Sequence, residues 1–278
     1  MFNYLLDKIN EAKFQTDPFK FIYLEDFLSD EHFRLITRNP QMKFPEFDNV
    51  NNLVEHLDMR DYKPVPFPGC TTDVGQYLRW YTGDTKVKSP EHARGLIEGF
   101  GIAYRIQRYH NETIKQLMDF LNSKEFLNTL RSKFKKTGNY TVETAIQKYL
   151  TGYEISPHPD IRKKCLTYML NINPDKKADE MGLSTHFMKF KEDKQYISKF
   201  WNDNPGTDRC WVPWEWCDTV FEQKANNSIT IFAPDNDTMH AVKLDYDMLK
   251  TQRTQVYGNL WYADKPKVKG STWQDFAA

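Results

Sequence analysis

Near Val142 the hydrophobic period of this chain changes, and that change restricts the fold more than any other feature. Downstream, Thr141-Val-Glu-Thr-Ala-Ile-Gln-Lys-Tyr149 alternates in the manner of a half-buried strand. Cys165–Ile172, Ser228–Phe232 and Arg253–Tyr262 read as three more strands. Upstream, apolar residues recur at threes and fours, the spacing of an amphipathic helix. Strands following a helical half predict an α+β fold: a double-stranded β-helix (jelly-roll) core in the C-terminal half, packed against N-terminal helices. The chain reads as a single domain, 1–278. Residues 1–140 form a mainly helical portion, 141–265 form the core, and a Trp-rich insert falls at about 176–227.

Within the first portion, Phe19–Leu24 reads as a short strand, and Ser29 or Asp30 caps a helix running through Leu35-Ile36. Residues 40–90, rich in Pro, Asp, Asn and Gly, read as long loops. Ala93–Ser123 reads as a long helix with Leu96, Phe100, Ile102, Ala103, Ile106, Ile114, Leu117 and Leu121 on its buried face, and Gly99 and Gly101 as potential breaks. Ser123-Lys124-Glu125 starts a shorter helix through Leu130.

Lys+Arg and Asp+Glu are both 38, so the formal net charge is zero and no basic surplus favours a nucleic-acid partner. The first fifteen residues are amphipathic and too charged for a secretory core. No run approaches the roughly 18 apolar residues of a membrane span. Cys70, Cys165, Cys210 and Cys217 form no CxxC pair. The expectation is a cytoplasmic, reduced protein, with a local Cys210–Cys217 bridge as the alternative and no zinc-ligand spacing.

The chemistry-bearing candidate is His158-Pro159-Asp160 with His240. Two histidines and one carboxylate make a facial triad that leaves three octahedral positions open on Fe(II). With seven histidines in the chain, about one His-x-Asp/Glu pair is expected by chance, so context must decide. Pro157 and Pro159 stiffen the segment and keep it at a strand edge. In an extended backbone residues 158 and 160 face one way, as a shared metal requires. His240 follows the Ser228–Phe232 strand and the polar turn 233–238, well placed for a ligand. The competing reading of each histidine alone is a surface or hydrogen-bonded side chain.

Tyr149-Leu-Thr-Gly-Tyr-Glu-Ile-Ser-Pro-His158-Pro-Asp160, the strand Lys164-Cys-Leu-Thr-Tyr-Met-Leu-Asn-Ile-Asn173, and Ile231-Phe-Ala-Pro-Asp-Asn-Asp-Thr-Met-His240-Ala-Val together resemble the Fe(II)/2-oxoglutarate oxygenases, specifically their prolyl-hydroxylase-like branch. Arg253–Tyr262 resembles the family's closing strand, and Asp17–Ser29 its opening segment. The resemblance is densest over 149–173 and 231–262.

It implies that His158, Asp160 and His240 hold iron. 2-Oxoglutarate would chelate that iron and pair its far carboxylate with a basic residue. The family's usual spacing falls on Lys250. Arg253, three residues on, opens the strand, shares a face with Gln255, Tyr257, Asn259 and Trp261, and is preferred for its fork. Tyr149 and Asn171 would be polar groups around the co-substrate, with Tyr168 on the opposite face from Asn171. Asp160 implies hydroxylation, because related halogenases carry a small residue there. The implied activity couples decarboxylation of 2-oxoglutarate to succinate and CO2 with hydroxylation of an unactivated C–H, using Fe(II), O2 and 2-oxoglutarate, with ascorbate as a supporting reductant. The implied substrate is a peptide, prolyl included, or a small molecule. The alternatives are a non-catalytic jelly-roll binding protein with a degenerate metal site, and a nucleic-acid-directed oxygenase of the same chemistry.

Trp201, Trp211, Trp214 and Trp216 fall within one short span of the insert, which reads either as a lid or substrate-recognition surface or as a local aromatic cluster. His186 is the rival metal ligand, read instead as a strand residue near the pocket.

Overall fold

The computed structural model describes residues 1–88, 100–265 and 268–277. Seven α-helices occur among them: α1 Tyr4–Glu11, α2 Asp30–Thr37, α3 Val50–Met59, α4 Val74–Tyr81, α5 Glu112–Leu121, α6 Lys124–Lys133 and α7 Tyr196–Asp203. Five begin on a side-chain cap. Ser29, Asn49, Asp73, Asn111 and Ser123 each accept the amide three residues on, satisfying a donor that the helix cannot.

Twelve strands form two antiparallel sheets. In chain order they are β1 Phe14–Gln15, β2 Phe21–Leu24, β3 Tyr62–Pro64, β4 Ala103–Ile106, β5 Tyr140–Tyr149, β6 Glu154–His158, β7 Lys164–Asn171, β8 Thr185–Phe190, β9 Cys217–Gln223, β10 Ile229–Phe232, β11 His240–Lys243 and β12 Arg253–Tyr262. The large sheet runs β1-β2-β10-β7-β12-β5-β4-β3 and the small one β6-β11-β8-β9. Strands β5 to β12 therefore divide four and four between the sheets, with successive strands crossing from one to the other except β8 and β9, which pair within the small sheet. This is the jelly-roll pattern expected of the C-terminal half. The N-terminal portion supplies helices and also four short strands that extend both edges of the large sheet.

Two sequence expectations for that portion are corrected. The 40–90 stretch holds α3, β3 and α4 rather than loops alone. The expected helix over 93–123 is not continuous. Residues 89–99, with Leu96, Ile97 and Gly99, lie outside the described residues, but Ala103–Ile106 is β4, paired with β3 and β5, and α5 starts only after the Asn111 cap. A short apolar run satisfies both periods, and backbone pairing along the exposed side of β5 decided this one. Gly101 fits the strand reading, since a Cβ there would come 2.7 Å from Gly69 O.

The centre of the large sheet separates two environments. On β12, Val256 and Leu260 face the helical layer and join its core with Leu166, Leu170, Ile146, Leu117 and Phe126. Gly258 belongs to that face, and a Cβ on it would lie 2.0 Å from the Tyr168 ring. Tyr168 thus faces the helices, as strand parity from Asn171 requires. The alternate β12 residues Arg253, Gln255, Tyr257 and Asn259 are all buried on the other face, between the sheets.

Candidate metal centre

Strand β6 is the edge of the small sheet, which is where a proline inside a strand is tolerated. Its last residue, His158, pairs directly with His240, the first residue of β11, and the two imidazoles are 4.2 Å apart between centres. Each ring bonds through Nδ1 to a carbonyl two residues back: His158 to Ser156 O at 2.8 Å, His240 to Thr238 O at 3.0 Å. A carbonyl only accepts, so each Nδ1 donates and each Nε2 presents a lone pair. Those two Nε2 atoms lie 3.6 and 3.8 Å from the Asp160 carboxylate oxygens. Ligand atoms of all three residues fall within 4.8 Å of one another.

The convergence has a different cause from the one sequence parity suggested. β6 ends at His158, and Asp160 adopts φ 55°, a left-handed turn that brings the carboxylate back over the histidines. Two bonds then fix it. Lys164 Nζ donates to Oδ1 at 2.6 Å and Thr167 Oγ1 to Oδ2 at 2.8 Å. Burial alone would raise the Asp160 pKa, but the Lys164 charge bonded to it holds it well below the usual carboxylate range. Burial, reinforced by His158, pushes His240 down to about 3, so it stays neutral. An ionised carboxylate and imidazole lone pairs suit a divalent ion of intermediate softness, and this donor set fits Fe(II).

Arg253 is placed between the sheets. It stands opposite Tyr149 in the β5–β12 ladder, with its guanidinium carbon 4.9 Å from that ring centre. Nε donates to Leu183 O at 2.8 Å and Nη2 to Thr185 Oγ1 at 3.0 Å. It forms no ion pair with any described carboxylate, although it is 1% exposed. Thr185 is two residues, about 7 Å of strand, from Phe187, which pairs with His240. The cation and the triad thus share one interior. Asn171 also faces inward, accepting from Gln255 Nε2 at 3.0 Å and donating to Ala225 O at 3.2 Å. Lys250 is exposed and bonded to Asp247 at 3.1 Å, away from this interior.

His186 lies on β8 beside Ala241 and turns toward Thr219 and the Trp214 ring. It belongs to no ligand cluster among the described residues. Within the 176–227 stretch, β8 and β9 are half of the small sheet, and the excursion proper is 191–216. There α7 buries Trp201 against Phe190 and Phe276, and Trp214 and Trp216 pack around the same cluster. Trp211 instead lines a cavity of about 650 Å³ that opens onto His158 and Asp160. All four cysteines are free thiols, Cys210 and Cys217 included.

Sequence reading missed Lys164 and Arg209. Thr167 shares the inner parity of Asn171 and was findable on that ground. Lys164 was not, because the β7–β12 register slips between the Leu260–Leu166 and Trp261–Lys164 pairs and returns it to the inner face.

No family model matches the chain, and no curated protein matches it. The chain is similar in structure to solved 2-oxoglutarate oxygenases. One is a Pseudomonas putida prolyl-4-hydroxylase, at 13% identity over 94% of this chain and 99% of that one, with a TM-score of 0.46. Another is a Trichoplax adhaerens prolyl hydroxylase in complex with a hypoxia-inducible-factor peptide fragment, at 13% identity, 94% and 89% coverage and a TM-score of 0.45. A third is HygX from Streptomyces hygroscopicus with nickel, 2-oxoglutarate and hygromycin B bound, at 9% identity, 82% and 100% coverage and a TM-score of 0.32. Among the described residues, no helix is long and apolar enough to cross a membrane.

Proposed function

We propose that this protein is an Fe(II)- and 2-oxoglutarate-dependent oxygenase that hydroxylates an unactivated C–H of a peptide or small-molecule substrate. The observation that carries the reading is the enclosure of the His158-Asp160-His240 cluster and the carboxylate-free Arg253 in one jelly-roll interior. A buried guanidinium with no acidic partner is costly, and an anionic co-substrate supplies the partner.

In this reading His158, Asp160 and His240 would hold iron, which would supply O2 activation coupled to decarboxylation of 2-oxoglutarate. Arg253 takes the distal carboxylate through its fork, with the Tyr149 ring holding the guanidinium in plane and Thr185 hydrogen-bonded beside it. Lys164 and Thr167 keep Asp160 ionised and oriented. Phe187 and Phe232 pack against His240 and keep water from that side. The substrate enters through the cavity bordered by Phe67, Trp211, Trp261 and Trp273, which meets the triad at His158 and Asp160.

Fe(II)-reconstituted protein should release succinate from 2-oxoglutarate under air. His158→Ala and His240→Ala should abolish this release and metal binding, with His186→Ala retaining both. Wild-type protein that binds neither Fe(II) nor 2-oxoglutarate would overturn the reading in favour of a degenerate site.

A further inference from the structure

Arg209 lies on the wall of the cavity that leads to the triad. It is 7% exposed, and its guanidinium makes no ion pair with a described carboxylate. Its Nε has no hydrogen-bond partner, and Nη1 reaches only Asn236 Oδ1 at 3.5 Å. Asn259 borders the same cavity. Its side chain is fully buried and engaged within the site, its amide group against the Tyr257 hydroxyl and its Oδ1 3.2 Å from Thr167 Oγ1. Buried donors are almost always satisfied, and a stranded buried cation is the costliest exception. Arg209 has Asp160, Asp208 and Asp235 acting on it only from beyond ion-pair distance, so its cavity-facing donors describe a space for an acceptor on the ligand. Arg209 is separate from the Arg253 slot, which lies between the sheets at Leu183 and Thr185.

We propose that Arg209 binds a carboxylate or phosphate of the molecule that this cavity admits, through its unpartnered Nε and the adjoining edge of its fork. The substrate class is then an anionic compound, or a peptide presenting an acidic group, whose flat or aliphatic part lies against Trp211, Trp261 and Trp273. Although burial, then the neighbouring Arg162, lowers Arg209 to about 10, it remains a cation at neutral pH. The proposal rests on the oxygenase reading for the fate of the ligand but not for its binding.

The test is calorimetric titration of the full chain with inorganic phosphate and, separately, with acetate. Arg209→Gln, Arg209→Lys and Lys250→Ala are compared with wild type, and folding is checked by circular dichroism. Wild type should bind one of the anions, which tells phosphate from carboxylate. Arg209→Gln should weaken that binding at least about tenfold, Arg209→Lys should weaken it less, and Lys250→Ala, at an exposed position outside both sites, should leave it in place. Equal affinity in wild type and Arg209→Gln, or no binding of either anion by wild type, overturns the proposal. Fe(II) and 2-oxoglutarate titrations on the same samples separate the two readings. Their failure alone removes the oxygenase, and loss of the anion effect alone removes the Arg209 site.

Discussion

Lys164 Nζ lies 2.6 Å from Asp160 Oδ1, so the carboxylate offered to a metal is already paired with a buried cation. The same ammonium donates to the Tyr257 hydroxyl at 2.6 Å and sits over the Trp261 ring. In the proposed metal site it would orient the carboxylate from behind and leave the opposite lone pairs for iron. Lys164→Met should lower metal affinity about 10- to 100-fold, the usual cost of losing a group that orients a ligand. Thr167→Val should cost less, since it removes a neutral donor. Fluorescence-monitored Mn(II) titration reads both, and unchanged affinity in Lys164→Met would show the pair to be irrelevant to the metal.

Arg253 and Lys250 divide on one measurement. Arg253→Gln removes a buried charged fork and should raise the 2-oxoglutarate dissociation constant of the Mn(II)-loaded protein about 10- to 100-fold. Lys250→Ala, at an exposed position paired with Asp247, should leave it unchanged. The reverse pattern would transfer the anchoring role to Lys250.

Lys148 makes stability depend on pH. Its Nζ donates to Met42 O and Thr254 Oγ1, both at 2.8 Å, and lies 4.6 Å from the Phe44 ring centre. Burial lowers its pKa from 10.5 to about 7. Between those values the unfolded chain holds a proton that the folded chain has released. This group's contribution to unfolding free energy therefore rises with pH across that window, by about 1.4 kcal/mol per unit at most. Lys148→Met should flatten the rise and be the more stable protein near pH 7. Urea unfolding at several pH values tests this, and parallel wild-type and variant curves would refute it.

Gly258 has a steric reason to be glycine. The Tyr168 ring that a Cβ would strike is held by its hydroxyl on Thr144 at 2.6 Å and by the Phe126 ring. Gly258→Ala should destabilise by about 1–3 kcal/mol, the range for overpacking, without altering metal or 2-oxoglutarate affinity. The cost should shrink in a Tyr168→Leu background, a coupling that a double-mutant cycle resolves.

What the sequence made legible depended on whether one period governed a segment. β12 and its large-sheet companions β5, β7 and β10 were readable as strands, whereas β6, β8, β9 and β11 of the small sheet, short or set among irregular segments, were not. His158, Asp160 and His240 were found as residues, although their convergence comes from a left-handed turn at Asp160 that strand parity does not contain. Lys164 was hidden by a register slip, β4 by a run that satisfies both periods, and Arg209 by lying in an excursion with no period at all.

In β12 the side chains that meet the ligand space and those that meet the helices occupy alternating positions of one ten-residue segment. The strand can therefore be edited in two independent registers. Replacements at 253, 255, 257 and 259 will show mainly in ligand selectivity, and replacements at 256, 258 and 260 mainly in the unfolding midpoint. A library confined to the first set would explore new co-substrates and substrates while leaving intact the surface on which the helical layer folds.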